Sequence, residues 1–380
     1  MKILFVLENY YPNIGGVEKL FKTLLEELAE NGHQITLVTT RLTKKSPRKE
    51  VLGNLTIHRY SFINRYFFTF FAFFHILFHV RKCDLVHTTS YNAGLPAYFA
   101  AKLARKKIVI TFHEVWGDLW FRLPYMSSFA RKLHYAFEQF LLKLRFDYFI
   151  AVSQSTADTL HKNGIPKERI ILNYNGMDYT TYERFKEIPQ KTKDETFVYT
   201  YCGRLGISKG MDLILEAATT FRKTHPNSQL QMIIPTTPAP LFKTILAEIE
   251  RLGLTDYIHL RHHLSYEELV KAFKASDCML IPSYSEGFCF VAAECAALSV
   301  PFISSDRTAL KEVQSSKFIR MPEHTANGLV QALKKAYADD WEITPLKRYE
   351  LRDTVERYIG LYKDILVLGA VVPWFLVLGA

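Results

Sequence analysis

Two glutamates with seven residues between them stand at a predicted junction between a strand and a helix. The apolar run Cys278 to Ile281 is followed by a Pro-Ser loop with Glu286, and then by a helical pattern from Phe288 to Leu298 that contains Glu294. The first N–H groups of a helix have no partner within it and favour a phosphate or diphosphate. Carboxylates would repel that anion, so sugar hydroxyls suit both glutamates better. The alternative is a plain loop carboxylate and an exposed helix residue, because such junctions are common.

A second predicted junction supplies positive charge. The strand Phe197 to Cys202 is followed by Gly203, Arg204 and, at the end of a glycine-containing loop, Lys209, before a helix from Met211 to Phe221. The guanidinium is a planar fork and the ammonium a point charge, and both suit a diphosphate. Solvated surface charges are the alternative, which their position between glycines at a helix start disfavours.

Three further candidates lie in the first half of the chain. Gly15 and Gly16 open a predicted helix after the first strand, where they either allow a ligand to approach the backbone or serve only the turn. Because Gly-x-Gly-x-x-Gly is absent, the dinucleotide fingerprint is missing. His113 follows the strand Ile108 to Phe112, at the end of the strand where open sheets hold ligands. A structural role is the alternative for this histidine.

Short apolar runs alternate with helical patterns along the whole chain, which indicates parallel α/β sheets covered on both faces. A chain of 380 residues exceeds the size at which one core keeps growing, so we expect two domains. The predicted organisation is a domain over residues 1–180, a linker over 181–195, a second domain over 196–345, a helix over 346–365 that packs back on the first domain, and an apolar tail over 366–380. The tail is either a cloning remnant or a short interfacial anchor.

Composition excludes several classes of protein. The five cysteines form no CxxC pair and lack matching histidine spacing, which argues against a zinc site and a disulfide framework and fits a reducing cytosol. The first apolar run is too short for a signal peptide and predicts a buried strand.

Charge is distributed unevenly. Residues 1–180 carry 24 Lys and Arg against 14 Asp and Glu, residues 181–380 carry 24 of each, and residues 51–150 carry 13 against 5. An anionic partner is therefore expected for the first domain: a membrane surface, a lipid phosphate or a nucleic acid.

Phenylalanines are concentrated in residues 62–78, a segment that contains Arg65 near its start and is followed by Arg81 and Lys82. A helix that is apolar all round is buried or in lipid, and residues 66–80 are fewer than the roughly 20 needed to span a bilayer. Two interpretations stay open: a buried core helix, or an interfacial helix that docks on a membrane.

Taken in order, these residues resemble the retaining glycosyltransferases of family 4, also called glycosyl transferases group 1, over about residues 1–365. The resemblance is carried by Gly15-Gly16-Val17-Glu18, His113, Asn175-Gly176-Met177-Asp178, the run from Gly203 to Gly210, and the Glu286 and Glu294 pair. It implies a GT-B fold, in which two Rossmann-like, doubly wound α/β domains face each other across a cleft.

The resemblance also implies residue roles. Catalytic roles fall to His113, Arg204, Lys209 and Glu286. Donor binding falls to Gly15, Gly16, Gly203, Arg204, Lys209, Glu286, Gly287, Phe288, Cys289, Phe290 and Glu294. Cys289 stands where these enzymes usually have glycine, and Pro235-Thr236-Thr237-Pro238 replaces a glycine-rich loop.

The implied activity is transfer of a hexose or N-acetylhexosamine from a UDP- or GDP-sugar to a lipid-linked, polyprenyl-phosphate or growing glycan acceptor, with retained anomeric configuration. No Asp-x-Asp triplet is present, so we expect no metal and no cofactor, with positive side chains taking the place of a divalent cation. The expected location is the inner face of the cell membrane, with peripheral contact to anionic lipid and no nucleic-acid partner. The alternative is a non-catalytic GT-B subunit that binds a nucleotide sugar and docks a partner enzyme.

Overall fold

The computed structural model describes residues 1–13, 15–192 and 196–367, and these divide into two units. Unit 1 contains Met1–Gly117, Leu133–Met177 and the chain from Tyr349 onward, and unit 2 contains Asp118–Lys132 and Asp178–Arg348. Residues 193–195 of the predicted linker and residues 368–380 of the predicted tail lie outside the described residues.

Unit 1 is built on an eight-stranded sheet. Its strands are β1 (Lys2–Val6), β2 (Gln34–Thr40), β3 (Lys49–Leu52), β4 (Leu55–Tyr60), β5 (Leu85–Thr89), β6 (Lys107–Phe112), β7 (Tyr148–Ala151) and β8 (Ile170–Leu172). Their order across the sheet is β3-β4-β2-β1-β5-β6-β7-β8, and only β3 pairs antiparallel, with β4. The apolar pattern predicts the parallel strands, whereas β3 is a mostly exposed edge strand that carries no such signal.

Helices cover both faces of this sheet. They are α1 (Gly16–Glu30), α2 (Arg65–Val80), α3 (Gly94–Leu103), α4 (Ser128–Leu142), α5 (Gln154–Lys162) and α13 (Leu351–Val367), where α4 begins within the segment Asp118–Lys132. Successive side chains of a strand point to opposite faces. Leu4 and Val6 accordingly join one core with α2 and α3, while Ile3 and Phe5 join the other with α1 and α13.

A buried polar cluster fixes the last helix, α13, in the core of unit 1. The Nδ1 of His87 lies 2.5 Å from the hydroxyl of Tyr362, and its Nε2 lies 2.8 Å from Oγ1 of Thr111. Burial, assisted by the nearby His113, lowers the pKa of His87 to about 3, so the ring is neutral and offers one donor and one acceptor. Each buried polar group therefore has a partner, which removes the penalty for placing them in a core.

Unit 2 contains a seven-stranded sheet. Its strands are β9 (Phe197–Cys202), β10 (Ser228–Ile233), β11 (Ile258–Arg261), β12 (Cys278–Ile281), β13 (Phe302–Ser304), β14 (Ser316–Arg320) and β15 (Glu342–Thr344). Its helices are α6 (Tyr179–Glu183), α7 (Met211–Thr224), α8 (Ala239–Arg251), α9 (Tyr266–Lys274), α10 (Phe290–Ala297), α11 (Leu310–Val313) and α12 (Ala326–Tyr337). The sequence pattern does not predict β14 or β15, which extend the sheet at one edge.

Strand order identifies the architecture of both units. The unit 2 order is β11-β10-β9-β12-β13-β14-β15, in which the first six strands follow the 3-2-1-4-5-6 order of the Rossmann fold. The same order runs from β4 to β7 in unit 1 through β2, β1, β5 and β6. The predicted α/β class with two Rossmann-like domains is confirmed.

Candidate functional site

The strand order of unit 2 changes direction between the neighbouring parallel strands β9 and β12. Open α/β sheets bind their ligands outside the carboxyl ends of the strands at such a switch point. Residues 203–210 leave β9 toward α7, and residues 282–289 leave β12 toward α10. Both predicted junctions of unit 2 therefore meet at the position where this fold binds ligands.

A close backbone approach joins these two loops. Gly210, the residue before α7, has a left-handed backbone with φ of +71°, and a Cβ placed on it would lie 2.2 Å from the carbonyl oxygen of Pro282. Only glycine satisfies both conditions without strain. The loops are joined further by Tyr284, whose N–H donates to the carbonyl of Ser208 at 2.8 Å and whose hydroxyl donates to Oδ2 of Asp212 at 2.6 Å.

Lys209 and Glu286, one from each loop, form an ion pair. The ammonium of Lys209 donates to Oε1 of Glu286 at 2.8 Å, and the two side chains are 18% and 11% exposed. Ser283 Oγ donates to the same carboxylate oxygen at 2.7 Å, and the N–H of Glu286 donates to Oγ1 of Thr308 at 2.9 Å. Hydrogen bonds at both its carboxylate and its backbone N–H thus fix the position of Glu286. Sequence reasoning missed both Ser283 and Thr308. No spacing signals the contact with Thr308, which lies 22 residues from Glu286, whereas Ser283 lies three residues before Glu286 in the same loop and was the available signal.

The helix after the second loop begins later than the sequence predicts. The pattern places its start at Phe288, but α10 begins at Phe290 because Cys289 adopts a left-handed backbone with φ of +75°. That conformation costs a residue with a Cβ roughly 1–2 kcal/mol relative to glycine, which accounts for glycine being usual there. Cys289 and Phe288 are both buried, and burial with the nearby Glu286 raises the pKa of the Cys289 thiol, which stays protonated.

Glu294 on α10 accepts a hydrogen bond from a residue that sequence reasoning did not select. The hydroxyl of Tyr182, on α6, donates to its Oε1 at 3.1 Å. Tyr182 is 4% exposed, and burial, followed by the charge of Glu294, raises its pKa far above the usual range. The phenol therefore stays protonated and orients the carboxylate without neutralising it. The signal available in the sequence was the position of this tyrosine, four residues after Asp178, which ends the motif Asn175-Gly176-Met177-Asp178.

Arg204, the remaining predicted cation of unit 2, has an exposed side chain just after Gly203. Its carbonyl accepts a hydrogen bond from the Tyr201 hydroxyl at 3.2 Å, which fixes the backbone at the end of β9. The guanidinium is therefore on the surface, on the loop that also carries Lys209.

Unit 1 contains Gly15, Gly16 and His113. Gly15 is the residue before α1 and has an extended backbone, and Gly16 is the first helical residue. Two residues later, the buried Glu18 accepts from Nδ2 of Asn13 at 2.7 Å, while its other carboxylate oxygen has no hydrogen-bond partner among the described residues. Here, too, the loop after the first strand of the Rossmann order leads directly into a helix.

A buried carboxylate shapes the loop that carries His113. Glu138, on α4, is fully buried and accepts from the N–H groups of Trp116 at 2.9 Å and Gly117 at 2.7 Å, and from the Tyr91 hydroxyl at 2.7 Å. These bonds fix the chain after β6, so Glu138 positions the loop through its backbone. His113 itself is half-buried, with its ring centre 6.2 Å from that of Phe21.

Comparison with known families matches residues 14–181 to Glycosyltransferase Family 4 and residues 183–355 to Glycosyl transferases group 1. The chain belongs to the family 4 glycosyltransferases. This family 4 chain uses a nucleotide-sugar donor, and the site residues predicted from the sequence fall within the two matched regions. Among the part of the chain that the structure describes, no group of three or more His, Cys, Asp or Glu side chains could hold a metal ion.

Curated relatives of this glycosyltransferase are distant. It is 21% identical to a component of the phosphatidylinositol N-acetylglucosaminyltransferase of Arabidopsis thaliana, over 88% of this chain and 74% of the relative. A D-inositol 3-phosphate glycosyltransferase of Acidothermus cellulolyticus is 27% identical, over 44% of this chain and 41% of the relative.

Solved structures support the GT-B fold. HepE of Anabaena, in complex with UDP and glucose, has a TM-score of 0.70 at 14% identity and covers 96% of this chain and 100% of its own. A sucrose-phosphate synthase of Thermosynechococcus elongatus has a TM-score of 0.69 at 18% identity and covers 97% of each chain. At these identities the likeness concerns the fold.

Replacing Gly210 by alanine should destabilise unit 2 strongly, by about 3 kcal/mol or more, because strain and a backbone clash add together. Gly253 provides a matched control: its φ is +64°, but a Cβ there would meet only a terminal nitrogen of Arg222 at 3.8 Å. Gly253→Ala should therefore cost only the roughly 1–2 kcal/mol of a left-handed backbone. Urea unfolding of both variants measures the difference, and equal losses would contradict the close approach to Pro282.

Proposed function

We propose that the protein is a retaining glycosyltransferase that moves a hexose or N-acetylhexosamine from a UDP- or GDP-sugar to a lipid-linked, polyprenyl-phosphate or growing glycan acceptor. The observation that carries this proposal is the ion pair of Lys209 and Glu286 at the switch point of unit 2. A cation and an acid on adjoining loops suit the two halves of a sugar diphosphate. The name of one relative, a component of a phosphatidylinositol N-acetylglucosaminyltransferase, supports an N-acetylhexosamine and a lipid acceptor, and the name of another, a D-inositol 3-phosphate glycosyltransferase, supports glycosyl transfer.

The residues of unit 2 would divide the donor between them. Lys209 and Arg204 bind the diphosphate together with the first N–H groups of α10, and Glu286 accepts from hydroxyls of the sugar. In the structure the cation of Lys209 is bonded to Glu286, so donor binding exchanges this contact for contacts to the two parts of the ligand. The backbone of Gly287, Phe288, Cys289 and Phe290 lines the sugar side. Because Gly203 has no side chain, the donor can approach the backbone at the end of β9.

Glu294 is suited to the ribose. Its carboxylate oxygens can only accept hydrogen bonds, and the Tyr182 hydroxyl, which donates to Oε1, orients the group. A carboxylate held in this way suits the two vicinal hydroxyls of a ribose. In unit 1, Gly15 and Gly16 would present backbone to the donor phosphate or to the acceptor, and His113 would contact the transferred sugar at the reaction centre.

In the proposed reaction, the bond between the anomeric carbon and the diphosphate oxygen breaks, and a bond to the acceptor oxygen forms on the same face. The proton of an acceptor hydroxyl passes to the departing phosphate oxygen, so no protein nucleophile is needed. Negative charge grows on the diphosphate during this step. Lys209, Arg204 and the α10 N-terminus stabilise that charge, and stabilisation of this kind usually contributes most to lowering such a barrier.

A lipid-linked acceptor requires the enzyme to work at a membrane. We therefore also propose peripheral contact with anionic lipid at the inner face of the cell membrane and no nucleic-acid partner. The basic excess of residues 51–150 supports the contact with anionic lipid. No helix among the described residues combines the length and apolarity needed to cross a bilayer.

Lys209→Ala should lower kcat by about 10² to 10³ and weaken donor binding, because the diphosphate carries charge before and during the reaction. Lys271→Ala is the matched control, since Lys271 forms an ion pair with Glu267 on the exposed helix α9. Steady-state kinetics with a radiolabelled donor measure both effects. A turnover within twofold of the parent for Lys209→Ala would contradict its assignment.

Tyr182→Phe should weaken binding of the ribonucleoside diphosphate by about tenfold, which corresponds to about 1.4 kcal/mol for one hydrogen bond to a charged group. Binding of the 2′,3′-dideoxy nucleotide should stay unchanged, because it lacks the hydroxyls that Glu294 would accept from. Calorimetry with UDP or GDP, whichever the parent binds, and with its dideoxy form measures both.

The control is Tyr179→Phe on the same helix, whose hydroxyl donates instead to the carbonyl of Lys347 at 3.4 Å. This variant should bind both nucleotides as the parent does. Equal loss of both nucleotides in Tyr182→Phe would show that the hydroxyl serves only the packing of α6.

Chelation tests the expectation that no metal takes part. Activity should survive excess EDTA, and adding magnesium afterwards should not raise it, because Lys209 and Arg204 supply the positive charge. NMR coupling constants should give the product the same anomeric configuration as the donor. Inversion, or loss of activity that magnesium restores, would contradict the proposed mechanism.

A further inference from the structure

Helix α2 consists mainly of apolar residues, but unit 1 buries only part of its surface. Its buried residues are Phe68, Thr69, Ala72, Ile76 and Val80. Of the other six phenylalanines, Phe73 packs partly against the core. The remaining five form a stripe with spacings of three and four residues, and much of each ring is exposed: Phe67 by 39%, Phe70 by 65%, Phe71 by 51%, Phe74 by 66% and Phe78 by 71%. We call these five residues the Phe face.

The Phe face is large for a surface that only water contacts. With roughly 200 Å² for each ring, it exposes on the order of 600 Å², the upper end of the largest apolar patches on monomers. Ile63, just before the helix, is 81% exposed. The neighbouring helix α3 adds Phe99 and Leu103, which are 47% and 65% exposed.

A second layer of contacts fixes α2 with this face outward. The ring of Tyr60, on β4, stacks on His75 with 3.8 Å between ring centres, and its hydroxyl lies 2.9 Å from Nε2 of His79. The ring of His58 lies 4.2 Å from that of His79. Burial, followed by His58, lowers the pKa of His79 to about 4, so the cluster is neutral at physiological pH. His75 and His79 of α2 thus lie against side chains of β4.

Basic side chains flank the Phe face. Arg81 and Lys82, directly after α2, and Arg105, just after α3, lie at the surface, and the ammonium of Lys82 lies 5.8 Å from the centre of the Phe78 ring. The helix α2 itself contains no acid. Long cationic side chains beside an apolar surface can keep their charges in water while the rings are buried.

The exposed rings and the basic side chains together indicate the kind of partner that fits this surface. A second copy of the chain would bring the same basic flank against itself in a symmetric dimer, which like charges oppose. An anionic bilayer complements both features, since its headgroups attract the cations and its acyl boundary buries the rings. At 16 residues, α2 is about 24 Å long, so it would lie in the interface instead of spanning the membrane.

We propose that the Phe face, with Arg81, Lys82 and Arg105, is the surface by which this protein docks on an anionic lipid bilayer. The proposal rests on the membrane contact included in the proposed function and assigns it to α2. It separates two kinds of force: the cations make binding depend on anionic lipid and on salt, whereas the rings add burial that salt does not screen.

Vesicle sedimentation of the full chain tests the proposal. Binding should require phosphatidylserine in phosphatidylcholine vesicles, and it should weaken but persist at high salt. Replacing Phe70, Phe71 and Phe74 by serine should reduce binding at least tenfold. Replacing Arg81, Lys82 and Arg105 by glutamine should reduce it by about fivefold for each residue removed.

The matched control replaces three exposed apolar residues of unit 2 by serine: Leu246, Ile343 and Leu346. It should bind vesicles as the parent does, and residues 368–380 are the same in every variant, so they cannot produce a difference. Circular dichroism and nucleotide binding verify folding. The single change Phe78→Ser, at the most exposed ring of the face, gives a milder second variant with a smaller expected loss.

Three outcomes overturn the docking surface. They are a parent that ignores anionic vesicles, a triple serine variant that binds like the parent, and a parent dimer that this variant converts to monomer. The last would make the Phe face an interface between copies. A parent that binds vesicles through this face but transfers no sugar from any nucleotide sugar would instead overturn the proposed function and leave the docking surface standing.

Discussion

The approach of Gly210 to the carbonyl of Pro282 is the constraint on which the candidate donor site depends. It allows the loops after β9 and β12 to lie against each other, and the other contacts between them require that closeness. Lys209 can reach Glu286, and Tyr284 can bond to both Ser208 and Asp212, only because no side chain stands between the two backbones. A single missing Cβ thus permits a cation and an acid to meet at the switch point of the sheet.

Buried polar groups have a similar organising role elsewhere in the fold. Glu138 holds the loop after β6 through two backbone N–H groups, and His87 ties the last helix to the sheet through Tyr362. Within unit 2, the Tyr182 hydroxyl holds the carboxylate of Glu294 by a hydrogen bond. In each case a residue distant in sequence fixes a segment that carries, or supports, a predicted functional group. Such contacts cost little because each buried group is hydrogen-bonded.

The charges and the exposed rings fit one description of the enzyme. The second half of the sequence is electrically balanced and contains the proposed donor site, while the basic excess lies in residues 51–150 with the Phe face. A nucleotide sugar is water-soluble and a lipid-linked acceptor is not, so a protein joining them needs surfaces of two kinds. The separation of donor chemistry from membrane contact would let each be altered independently, which is why their failures can be distinguished experimentally.

The sequence by itself determined the α/β class, all the parallel strands except β14, and the loops that carry Gly15, His113, Lys209 and Glu286. Those features are local, because apolar periodicity and glycine-rich junctions depend only on residues that are consecutive in the sequence. It did not determine the edge strands β3 and β15, whose exposed residues carry no apolar pattern, or β14 beside β15. It missed Thr308, Tyr182 and Glu138 as well, since their partners lie between 21 and 112 residues away and no spacing encodes the contact. Ser283 was missed although its partner Glu286 is only three residues away. From the sequence, the Phe-rich segment could be either a buried core helix or an interfacial helix. Composition gives the number of aromatic rings, but packing decides which of them are covered. Tertiary structure divided that one helix, burying Phe68 and leaving Phe70 and Phe74 exposed.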